Sequence, residues 1–343
     1  MSPSRSPRRP RLGFLGVGWI GLQRMRAVVE SGVAEVIAVA DTSDSLRKAA
    51  LEGLDGAVAC HSLEELLRLE LDGISIATPS ALHAQQALAC LEREVSVFCQ
   101  KPLARNLAET RRVVEQARAS DRLLGVDFSY RHTAALRAVK ALLGSGELGE
   151  VYSARLVFHN AYGPDKPWYY ERASSGGGCV MDLGIHLVDS ILWLLEGAEV
   201  ERVDSALYAQ GRRLATQARE VEDFATARLE LQGGATVELA CSWKLPVGAD
   251  AEIGIELFGP RGGVRFRNVS GSFYDFIAER MNGTATLPLA SYPDAWGGRA
   301  IVAWAQQLEH SRAFDAAAAE SFLRTAAVLD RIYTGDATTR TPR

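Results

Sequence analysis

Two ionisable residues, Asp182 and His186, stand four positions apart in an otherwise apolar stretch, 179–195. The stretch predicts a buried helix, and the spacing places both side chains on one helix face, with Asp189 near the same face. Ionisable groups on a buried helix are unfavourable unless they are paired or functional. An acid beside a histidine is suited to general acid–base chemistry. The alternative is a core histidine whose hydrogen bonds an aspartate satisfies.

Lys101 is a third residue whose position indicates chemistry. It follows the apolar run 95–99, which predicts a buried strand, and it precedes Pro102, which rigidifies the turn. At the carboxyl end of a parallel strand, the lysine would lie in the crevice where such sheets bind ligands. The alternative is a solvated surface lysine. Ahead of Asp182, the glycines at 176–178 predict a flexible loop that leads into the helix.

A glycine-rich turn follows the apolar run 12–15 near the start of the chain. Its sequence, Gly16-Val17-Gly18-Trp19-Ile20-Gly21, fits the G-x-G-x-x-G pattern of dinucleotide-binding turns. In that pattern the first glycine permits a sharp turn and the second lets a pyrophosphate approach the backbone. The third lets the next helix pack closely on the sheet, and the N–H groups of that helix face the phosphates.

An acid stands where such a unit binds a ribose. A predicted helix at 22–30 and a second apolar strand at 33–40 lead to Asp41, 20 residues past the last glycine. Its carboxylate would accept hydrogen bonds from the adenosine ribose and repel a 2′-phosphate, so NAD is the expected cofactor. Arg47 and Lys48 lie nearby in the sequence and keep NADP as the alternative.

Short apolar runs alternate with helical patterns up to residue 128. This alternation predicts an α/β Rossmann domain, 11–128, with a doubly wound parallel sheet that binds ligands at the carboxyl ends of its strands. Three segments converge there: the glycine turn, Thr78-Pro79-Ser80 and Gln100-Lys101-Pro102. The predicted strands are 12–15, 33–40, 57–60, 73–77, 95–99 and 123–126, and the predicted helices include 22–30, 44–52 and 107–119.

The pattern changes after residue 128. Longer strands, separated by turns such as Gln232-Gly233-Gly234, predict an α+β domain over 129–343 that is built on a large, mostly antiparallel open β-sheet. The C-terminal helices either belong to this domain or pack back on the first one. The predicted strands are 151–159, 225–231, 235–243, 253–258 and 263–266, and the predicted helices are 133–143, 179–195, 301–308 and 316–333.

The composition limits the classes of partner. Acidic residues outnumber basic ones by 42 to 38, so no nucleic-acid binding is expected. The five cysteines form no C-x-x-C pair and are expected to be buried thiols in a reducing compartment, the cytoplasm. The chain has no run of 18 apolar residues, so no membrane span is expected. No metal is expected either, and residues 1–10 are expected to be a disordered tail.

Together these motifs resemble the glucose–fructose oxidoreductase / inositol dehydrogenase / rhizopine catabolism (Gfo/Idh/MocA) family from Arg11 onward. The stretches that carry the resemblance are Gly16 to Gly21, Ala77-Thr78-Pro79-Ser80 with His83, Lys101-Pro102, Gly144-Ser145-Gly146-Glu147-Leu148-Gly149, and Gly176 to Asp189. The resemblance implies a nicotinamide-binding domain and an open-faced sheet domain. It also implies reversible oxidation of a secondary alcohol on a sugar, cyclitol or polyol, with Lys101, Asp182 and His186 as the catalytic group.

The resemblance implies a role for each catalytic residue. His186 would remove the hydroxyl proton, Asp182 would orient the substrate and favour the imidazolium, and Lys101 would donate a hydrogen bond to the reacting oxygen. Alternatively, Lys101 carries the proton. The family usually has Glu before this lysine and Asn at the position of Ser129, whereas this chain has Gln100 and Ser129. Loss of the charge at Gln100 either favours a proton-transfer role for Lys101 or reorganises the cofactor contact.

The sequence thus predicts two sets of ligand contacts. The predicted cofactor-binding residues are Gly16, Gly18, Trp19, Ile20, Gly21, Asp41, Thr42, Ala77, Thr78, Pro79, Ser80, His83, Gln100, Lys101 and Arg131. The predicted substrate-binding residues are Lys101, Tyr130, Trp168, Tyr169, Asp182, His186 and Trp243. Trp168 and Tyr169, with Tyr170 beside them, would stack on a sugar or cover the nicotinamide; alternatively, they anchor their loop. A homodimer or homotetramer is expected through the open sheet face, because exposed sheet faces are seldom left bare.

Three other functions are compatible with these motifs. They are an NADP-dependent ketoreductase of a nucleotide-linked deoxysugar, an NAD-dependent glycosidase without net redox change, and a non-catalytic dinucleotide sensor. The presence of Lys101, Asp182 and His186 argues against the sensor, because a protein that only binds needs none of them.

Overall fold

The chain folds as two compact units. The computed structural model describes residues 8–215 and 218–336. The first unit takes the chain up to Ser129 and Gly297–Leu323, and the second takes Tyr130–Trp296 and the chain from Arg324 onward. Residues 1–7 of the predicted tail lie outside the described residues, and residues 8–10 have no regular secondary structure.

The first unit is built on a six-stranded parallel sheet. Its strands are β1 (Arg11–Leu15), β2 (Glu35–Ala40), β3 (Val58–Cys60), β4 (Gly73–Ile76), β5 (Ser96–Cys99) and β6 (Leu124–Val126). The strand order, β3-β2-β1-β4-β5-β6, is that of a doubly wound dinucleotide-binding fold. The order reverses between β1 and β4, so the carboxyl ends of these two strands flank the crevice in which such folds bind ligands.

Helices connect these strands. They are α1 (Trp19–Ser31), α2 (Asp44–Leu51), α3 (Leu63–Leu66), α4 (Ser80–Glu92) and α5 (Leu107–Ala119). Ser43 is the N-cap of α2, and its hydroxyl accepts a hydrogen bond from the Leu46 N–H at 3.3 Å. Ser62 and Asn106 cap α3 and α5 in the same way, so short polar residues fix where these helices begin.

The second unit is built on a nine-stranded sheet. Its strands are β7 (Ser153–Asn160), β8 (Val200–Ala209), β9 (Arg212–Arg213), β10 (Phe224–Leu231), β11 (Thr236–Ser242), β12 (Ala251–Gly259), β13 (Gly262–Asn268), β14 (Phe276–Asn282) and β15 (Ala285–Ala290). The order is β15-β14-β13-β12-β7-β11-β10-β8-β9, and β7 and β11 form the parallel pair in an otherwise antiparallel sheet. The predicted fold class is confirmed in both units.

The sequence analysis missed four of these strands: β8, β9, β14 and β15. In β8 the outward residues Glu201, Arg202 and Asp204 are exposed and charged, so the segment lacks the apolar run by which the other strands were recognised. β15 is almost entirely exposed at one edge of the sheet. Edge strands bury one face at most, so their sequence carries little hydrophobic signal.

One face of the nine-stranded sheet is covered by helices. They are α6 (Ala134–Gly144), which packs on β13, β14 and β15, and α8 (Ile185–Leu194), which packs on β7; a short helix, α7 (Arg172–Ser175), precedes α8. Alternate residues such as Leu156, Leu229 and Leu239 are buried on this face, whereas their neighbours on the other face are partly or fully exposed. The alternation has the two-residue period of a half-buried sheet.

The helix predicted over 179–195 is not regular. Its first part, Val180–Gly184, is a π-helical turn, and the α-helical part, α8, begins at Ile185. π turns are rare and are often found at functional sites. At Gly184 a Cβ would lie 3.2 Å from the Cys241 sulfur, so the small residue lets the turn lie close to β11.

Two glycines before this turn are required by close packing. A Cβ at Gly177 would lie 1.9 Å from the Tyr333 hydroxyl oxygen, and one at Gly178 would lie 1.8 Å from the Glu222 carbonyl oxygen. The sequence predicts a flexible loop at 176–178, but close packing, not flexibility, explains the glycines at 177 and 178. Gly176 has φ +87°, in the left-handed region, and ends α7.

The buried side chain of Glu222 holds this segment in place. One carboxylate oxygen, Oε1, accepts hydrogen bonds from the Gly178 N–H and the Val180 N–H, both at 2.9 Å, and from the Tyr333 hydroxyl at 2.8 Å. The other oxygen is buried and has no hydrogen-bond partner among the described residues. Burial raises the pKa of Glu222 above its ordinary value, and the three hydrogen bonds oppose that shift.

The C-terminal helices are α9 (Arg299–His310) and α10 (Ala316–Thr334). α9 belongs to the first unit, where the Trp304 ring packs on Phe98 with ring centroids 5.6 Å apart. A Cβ at Gly73 or at Gly125 would lie 2.5 or 2.6 Å from that ring, so both strands present glycine to it. α10 begins in the first unit and ends in the second.

The segment Arg172–Leu194, which comprises α7, the π turn and α8, is long and apolar enough to be a candidate membrane span. Within the fold, however, 83% of its most apolar window is buried. This burial is typical of a core helix of a compact unit.

We predict that Glu222→Ala lowers the free energy of unfolding by about 3 kcal/mol, because three donors lose their acceptor at roughly 1 kcal/mol each. Glu222→Gln keeps an oxygen acceptor for the same donors and should cost less than about 1 kcal/mol. Urea denaturation measures both. Glu230→Ala, on the partly exposed part of β10, serves as the control. Equal stability of the Ala and Gln variants would contradict this account.

Candidate functional site

The glycine turn after β1 has an open side. Gly16 has φ +83°, and a Cβ there would lie 2.6 Å from the Ala77 carbonyl oxygen. A Cβ at Gly21 would lie 2.0 Å from the Gly16 carbonyl oxygen, so this glycine lets α1 lie against the turn. By contrast, no atom of the described residues lies within 4 Å of a Cβ at Gly18. The middle glycine is thus free of protein packing constraints, which fits a position kept open for a pyrophosphate.

Asp41 lies beside this turn at the end of β2. Its two carboxylate oxygens accept hydrogen bonds from the Val17 N–H and the Ser43 N–H, each at 2.9 Å. The predicted ribose-binding acid is therefore held in a fixed orientation next to the glycine turn. Arg47 is buried and donates to the Asp41 carbonyl oxygen and the Asp44 carboxylate. Its guanidinium is already engaged with acceptors of the protein.

His83 links the loops that follow β4 and β5. Its buried ring places Nδ1 2.7 Å from the Pro102 carbonyl oxygen and Nε2 2.7 Å from the Thr78 carbonyl oxygen. Burial lowers the pKa of His83. Thr78 also donates to the Gln86 side chain at 2.6 Å, and Pro79 is the N-cap of α4. These residues brace the strand ends, and a direct contact of His83 with a cofactor stays a prediction.

Lys101 lies directly beyond the end of β5. The Lys101–Pro102 peptide bond is cis. The preceding residue, Gln100, is buried and donates its side-chain amide to the Asp127 carboxylate. The glycine turn, Thr78 and Lys101 follow β1, β4 and β5, so the first unit brings the three predicted segments to one edge of its sheet.

Other predicted cofactor-binding residues lie at the same strand ends. Trp19 is the first residue of α1, and its side chain is 65% exposed. Ile20 is half-buried, and Thr42 is exposed after Asp41. Ala77 follows β4, and Ser80 is the buried first residue of α4.

In the second unit, Asp182 and His186 are half-buried residues in an otherwise buried segment. Every other residue from 177 to 192 is buried. The Trp243 indole N–H donates to the Asp182 carboxylate at 3.0 Å. The predicted pair therefore shares one side of the π turn and α8, as the spacing indicates. The partial exposure of Asp182 and His186 does not fit a pair whose only role is in the core.

Aromatic rings surround this pair. The Tyr130 ring meets the His186 ring edge-on, with centroids 4.8 Å apart, and Trp168 stacks on Tyr169 at 3.8 Å. Tyr169 in turn meets the Trp243 ring edge-on at 6.3 Å. Burial raises the pKa of both Tyr130 and Tyr169, with the Asp182 charge as a lesser cause. All six predicted substrate-binding residues of this unit thus lie in one cluster.

Asp189, on α8, and Arg131 form an ion pair. The guanidinium Nε donates to one Asp189 oxygen at 2.9 Å, and a terminal nitrogen donates to the other. Asp189 is buried, which raises its pKa, and Arg131 opposes that shift. The acid near the predicted helix face is therefore paired within the unit. The role of Arg131 in cofactor binding stays a prediction.

Buried charged residues outside the motifs were missed. Glu222, Arg24 and Asp127 belong to no recognised pattern, yet each is buried and hydrogen-bonded beside a segment that carries predicted site residues. Arg24 lies on α1, which packs against the sheet. Its position on this helix could have predicted a buried acid partner, because a buried arginine requires one. The described residues contain no cluster of His, Cys, Asp and Glu that could hold a metal ion. All five cysteines are buried and free, so the expected burial is confirmed.

Comparison with known proteins gives two family matches. Residues 11–128 match the model of the GFO/IDH/MocA oxidoreductase family with an NAD-binding Rossmann fold. Residues 136–265 match a GFO/IDH/MocA C-terminal domain. Together these matches cover more than half of the chain.

Individual relatives agree with this match. The chain is 29% identical to a 1,5-anhydro-D-fructose reductase of Ensifer adhaerens, over 81% of this chain and 79% of that protein. It is 30% identical to inositol 2-dehydrogenase 3 of Saccharopolyspora erythraea, over 74% of this chain and 72% of that protein. A solved structure of KijD10, a 3-ketoreductase from Actinomadura kijaniata in complex with NADP, has a TM-score of 0.81 at 22% identity and covers 96% of this chain and 98% of that one.

The NAD-binding fold and the oxidoreductase class predicted from the sequence are confirmed by these matches. The chain belongs to the GFO/IDH/MocA family of oxidoreductases.

Proposed function

We propose that the protein is an NAD-dependent dehydrogenase that transfers a hydride between a secondary alcohol of a sugar, cyclitol or polyol derivative and nicotinamide. The observation that carries the proposal is that Asp182 and His186 are partly exposed, whereas every other residue from 177 to 192 is buried. Beside them, Trp168 stacked on Tyr169 offers the kind of flat apolar surface that packs against sugar rings. The relatives named above, a reductase and a dehydrogenase, support the same reaction class.

Each catalytic residue has one task in the proposed reaction. A bound nicotinamide supplies the hydride acceptor at its C4 carbon. His186 takes the hydroxyl proton. At the same time the C–H bond of the carbinol carbon breaks, and the hydrogen leaves with both bonding electrons as hydride. Asp182, held by the Trp243 indole, orients the substrate and stabilises the imidazolium that forms. Lys101 donates a hydrogen bond to the reacting oxygen; in the alternative division of roles, Lys101 carries the proton.

Asp41 and Arg47 favour NAD over NADP. The Asp41 carboxylate faces the glycine turn and would repel a 2′-phosphate, because its two backbone hydrogen bonds fix it there. Arg47, the residue that would attract a 2′-phosphate, is buried and already bound to Asp44 and the Asp41 carbonyl oxygen. Lys48 is exposed and remains the basic residue on which NADP use would depend.

The alternatives differ in measurable products. An NADP-dependent ketoreductase of a nucleotide-linked deoxysugar consumes NADPH, and a redox-neutral glycosidase releases a sugar without net NADH. A sensor binds NAD without turnover. The stacked Trp168 and Tyr169 rings fit the dehydrogenase, the ketoreductase and the glycosidase equally, because all three bind a sugar. Asp41 argues against the NADP-dependent ketoreductase.

We expect His186→Ala to lower kcat for polyol oxidation by 10² to 10⁴, as loss of a general base does. Lys101→Ala should lower kcat by about 10², because one oxyanion donor is lost. Trp243→Phe removes the donor to Asp182 but keeps an aromatic ring, so a smaller loss of about tenfold is expected. The assay follows NADH absorbance with a panel of inositols, aldoses and sugar acids.

His310→Ala, at an exposed position of α9, is the matched control and should turn over like the wild type. Turnover that survives in His186→Ala would contradict the assigned base. Tight NAD binding with no turnover on the whole panel would favour the sensor or the glycosidase.

We further propose that two copies associate through the uncovered face of the nine-stranded sheet. Directly paired residues of seven adjacent strands carry charges of alternating sign: Asp204, Arg228, Glu238, Arg155, Glu256, Arg265 and Glu279. A second copy displaced by one strand would set six of the seven charges of each copy against charges of opposite sign. A shallow groove of about 550 Å³ beside Arg155 gives this face relief into which side chains can pack.

Arg155→Glu should convert the dimer or tetramer to monomer, because the new acid lies between Glu238 and Glu256 and reverses the charge that the second copy meets. Sedimentation velocity measures the change, with Arg93→Glu on the first unit as control. A wild-type protein that sediments as a monomer at 0.1 M salt would contradict the proposal.

A further inference from the structure

The first unit contains a buried carboxylate, Asp127, that the sequence motifs do not include. It directly follows β6, and its side chain is 1% exposed. One oxygen, Oδ2, accepts from the Arg24 Nε at 2.6 Å and from the Gln100 amide. The other oxygen accepts from the Ser129 hydroxyl. Asp127 therefore connects the ends of β5 and β6.

Arg24 balances the charge of Asp127. Its guanidinium, 5% exposed, comes from α1, the helix that starts at the glycine turn. Besides Asp127, it donates to the Ser129 hydroxyl oxygen at 3.0 Å and to the Gly297 carbonyl oxygen. One positive and one negative charge meet in a buried place, so the group is neutral as a whole and each charge has hydrogen-bond partners.

The contact with Asp127 fixes which way the Gln100 amide faces. A carboxylate only accepts hydrogen bonds, so the NH₂ end of the amide is the end that meets Asp127. The carbonyl oxygen of Gln100 is then the atom left to act as an acceptor elsewhere. A carboxylate at position 100 would place two buried acids in direct contact, with Arg24 as the one basic side chain that meets Asp127 among the described residues. Adjacent buried acids repel unless one takes a proton.

We propose that Asp127, held by Arg24, is a positioning residue that turns the Gln100 carbonyl oxygen toward a hydroxyl group of the bound dinucleotide. This arrangement explains the glutamine at position 100: its amide donates to the buried Asp127 carboxylate, whereas a second carboxylate there would be repelled. The inference rests on the proposed dinucleotide site at the strand ends, and it does not depend on the alcohol that is oxidised.

The test exchanges the two side chains. Gln100→Glu should weaken NAD binding by about tenfold or more, because two carboxylates then compete for Arg24. Gln100→Glu combined with Asp127→Asn restores one acid and one amide, and should bring the affinity back to within about threefold of the wild type. NAD affinity is measured by fluorescence titration. Gln306→Glu, at an exposed position of α9, is the matched control.

A third variant separates positioning from simple support of the fold. Gln100→Met keeps the apolar volume and leaves Asp127 its bonds to Arg24 and Ser129, so the melting temperature should change little while NAD affinity falls about tenfold. Affinity and melting temperature that fall together in Gln100→Met would overturn the positioning role. So would a Gln100→Glu protein that binds NAD normally, or a double variant that stays as weak as Gln100→Glu.

Failure of the positioning role of Asp127 can be distinguished from failure of the proposed dehydrogenase function. A wild-type protein that binds NAD but oxidises no alcohol removes the dehydrogenase proposal and leaves the affinity test of Asp127 intact. A wild-type protein that does not bind NAD at all overturns both.

Discussion

The hydrogen bonds to one buried carboxylate, that of Glu222, fix the segment that carries Asp182 and His186. Its Oε1 atom joins the Gly178 and Val180 N–H groups to the Tyr333 hydroxyl of the last helix. The carboxylate thereby satisfies N–H groups that the start of a helix leaves without partners. The glycines at 177 and 178 follow from this contact, because any side chain there would overlap Tyr333 or Glu222. The positions of the half-buried Asp182 and His186 therefore depend on a buried acid, Glu222, that belongs to none of the recognised sequence motifs.

The first unit uses the same principle at its strand ends. The glycine turn packs against Ala77 at its first glycine and against itself at its last one, and leaves Gly18 open. Backbone N–H groups orient Asp41, and the loops after β4 and β5 are braced by His83. Buried polar groups are unfavourable unless hydrogen-bonded. Their pairing therefore limits the positions available to the side chains that face a ligand.

The sequence was sufficient for those features that depend on local residue types. The glycine spacing, Asp41 at the end of a strand and the four-residue separation of Asp182 and His186 are consequences of strand and helix geometry. Each lies where that geometry places it. The outer strands of the second sheet were missed, because edge strands such as β15 bury too little to show an apolar pattern. The π turn was not predicted either, and Glu222, which accepts a hydrogen bond from its first residue, lies about 40 residues away in the chain and meets it only in the folded unit. Gln100 was recognised as a departure from the family, but its partner Asp127 became visible only when β5 and β6 were paired.

The most direct test of the central claim follows a single hydrogen atom. The protein is incubated with NAD and a polyol substrate that carries deuterium at the carbinol carbon, and the reduced cofactor is examined by mass spectrometry and NMR. Direct hydride transfer predicts one deuterium at C4 of the nicotinamide for each ketone formed. Unlabelled NADH, or conversion of the substrate with no net reduced cofactor, would contradict the assignment of this chain as a dehydrogenase.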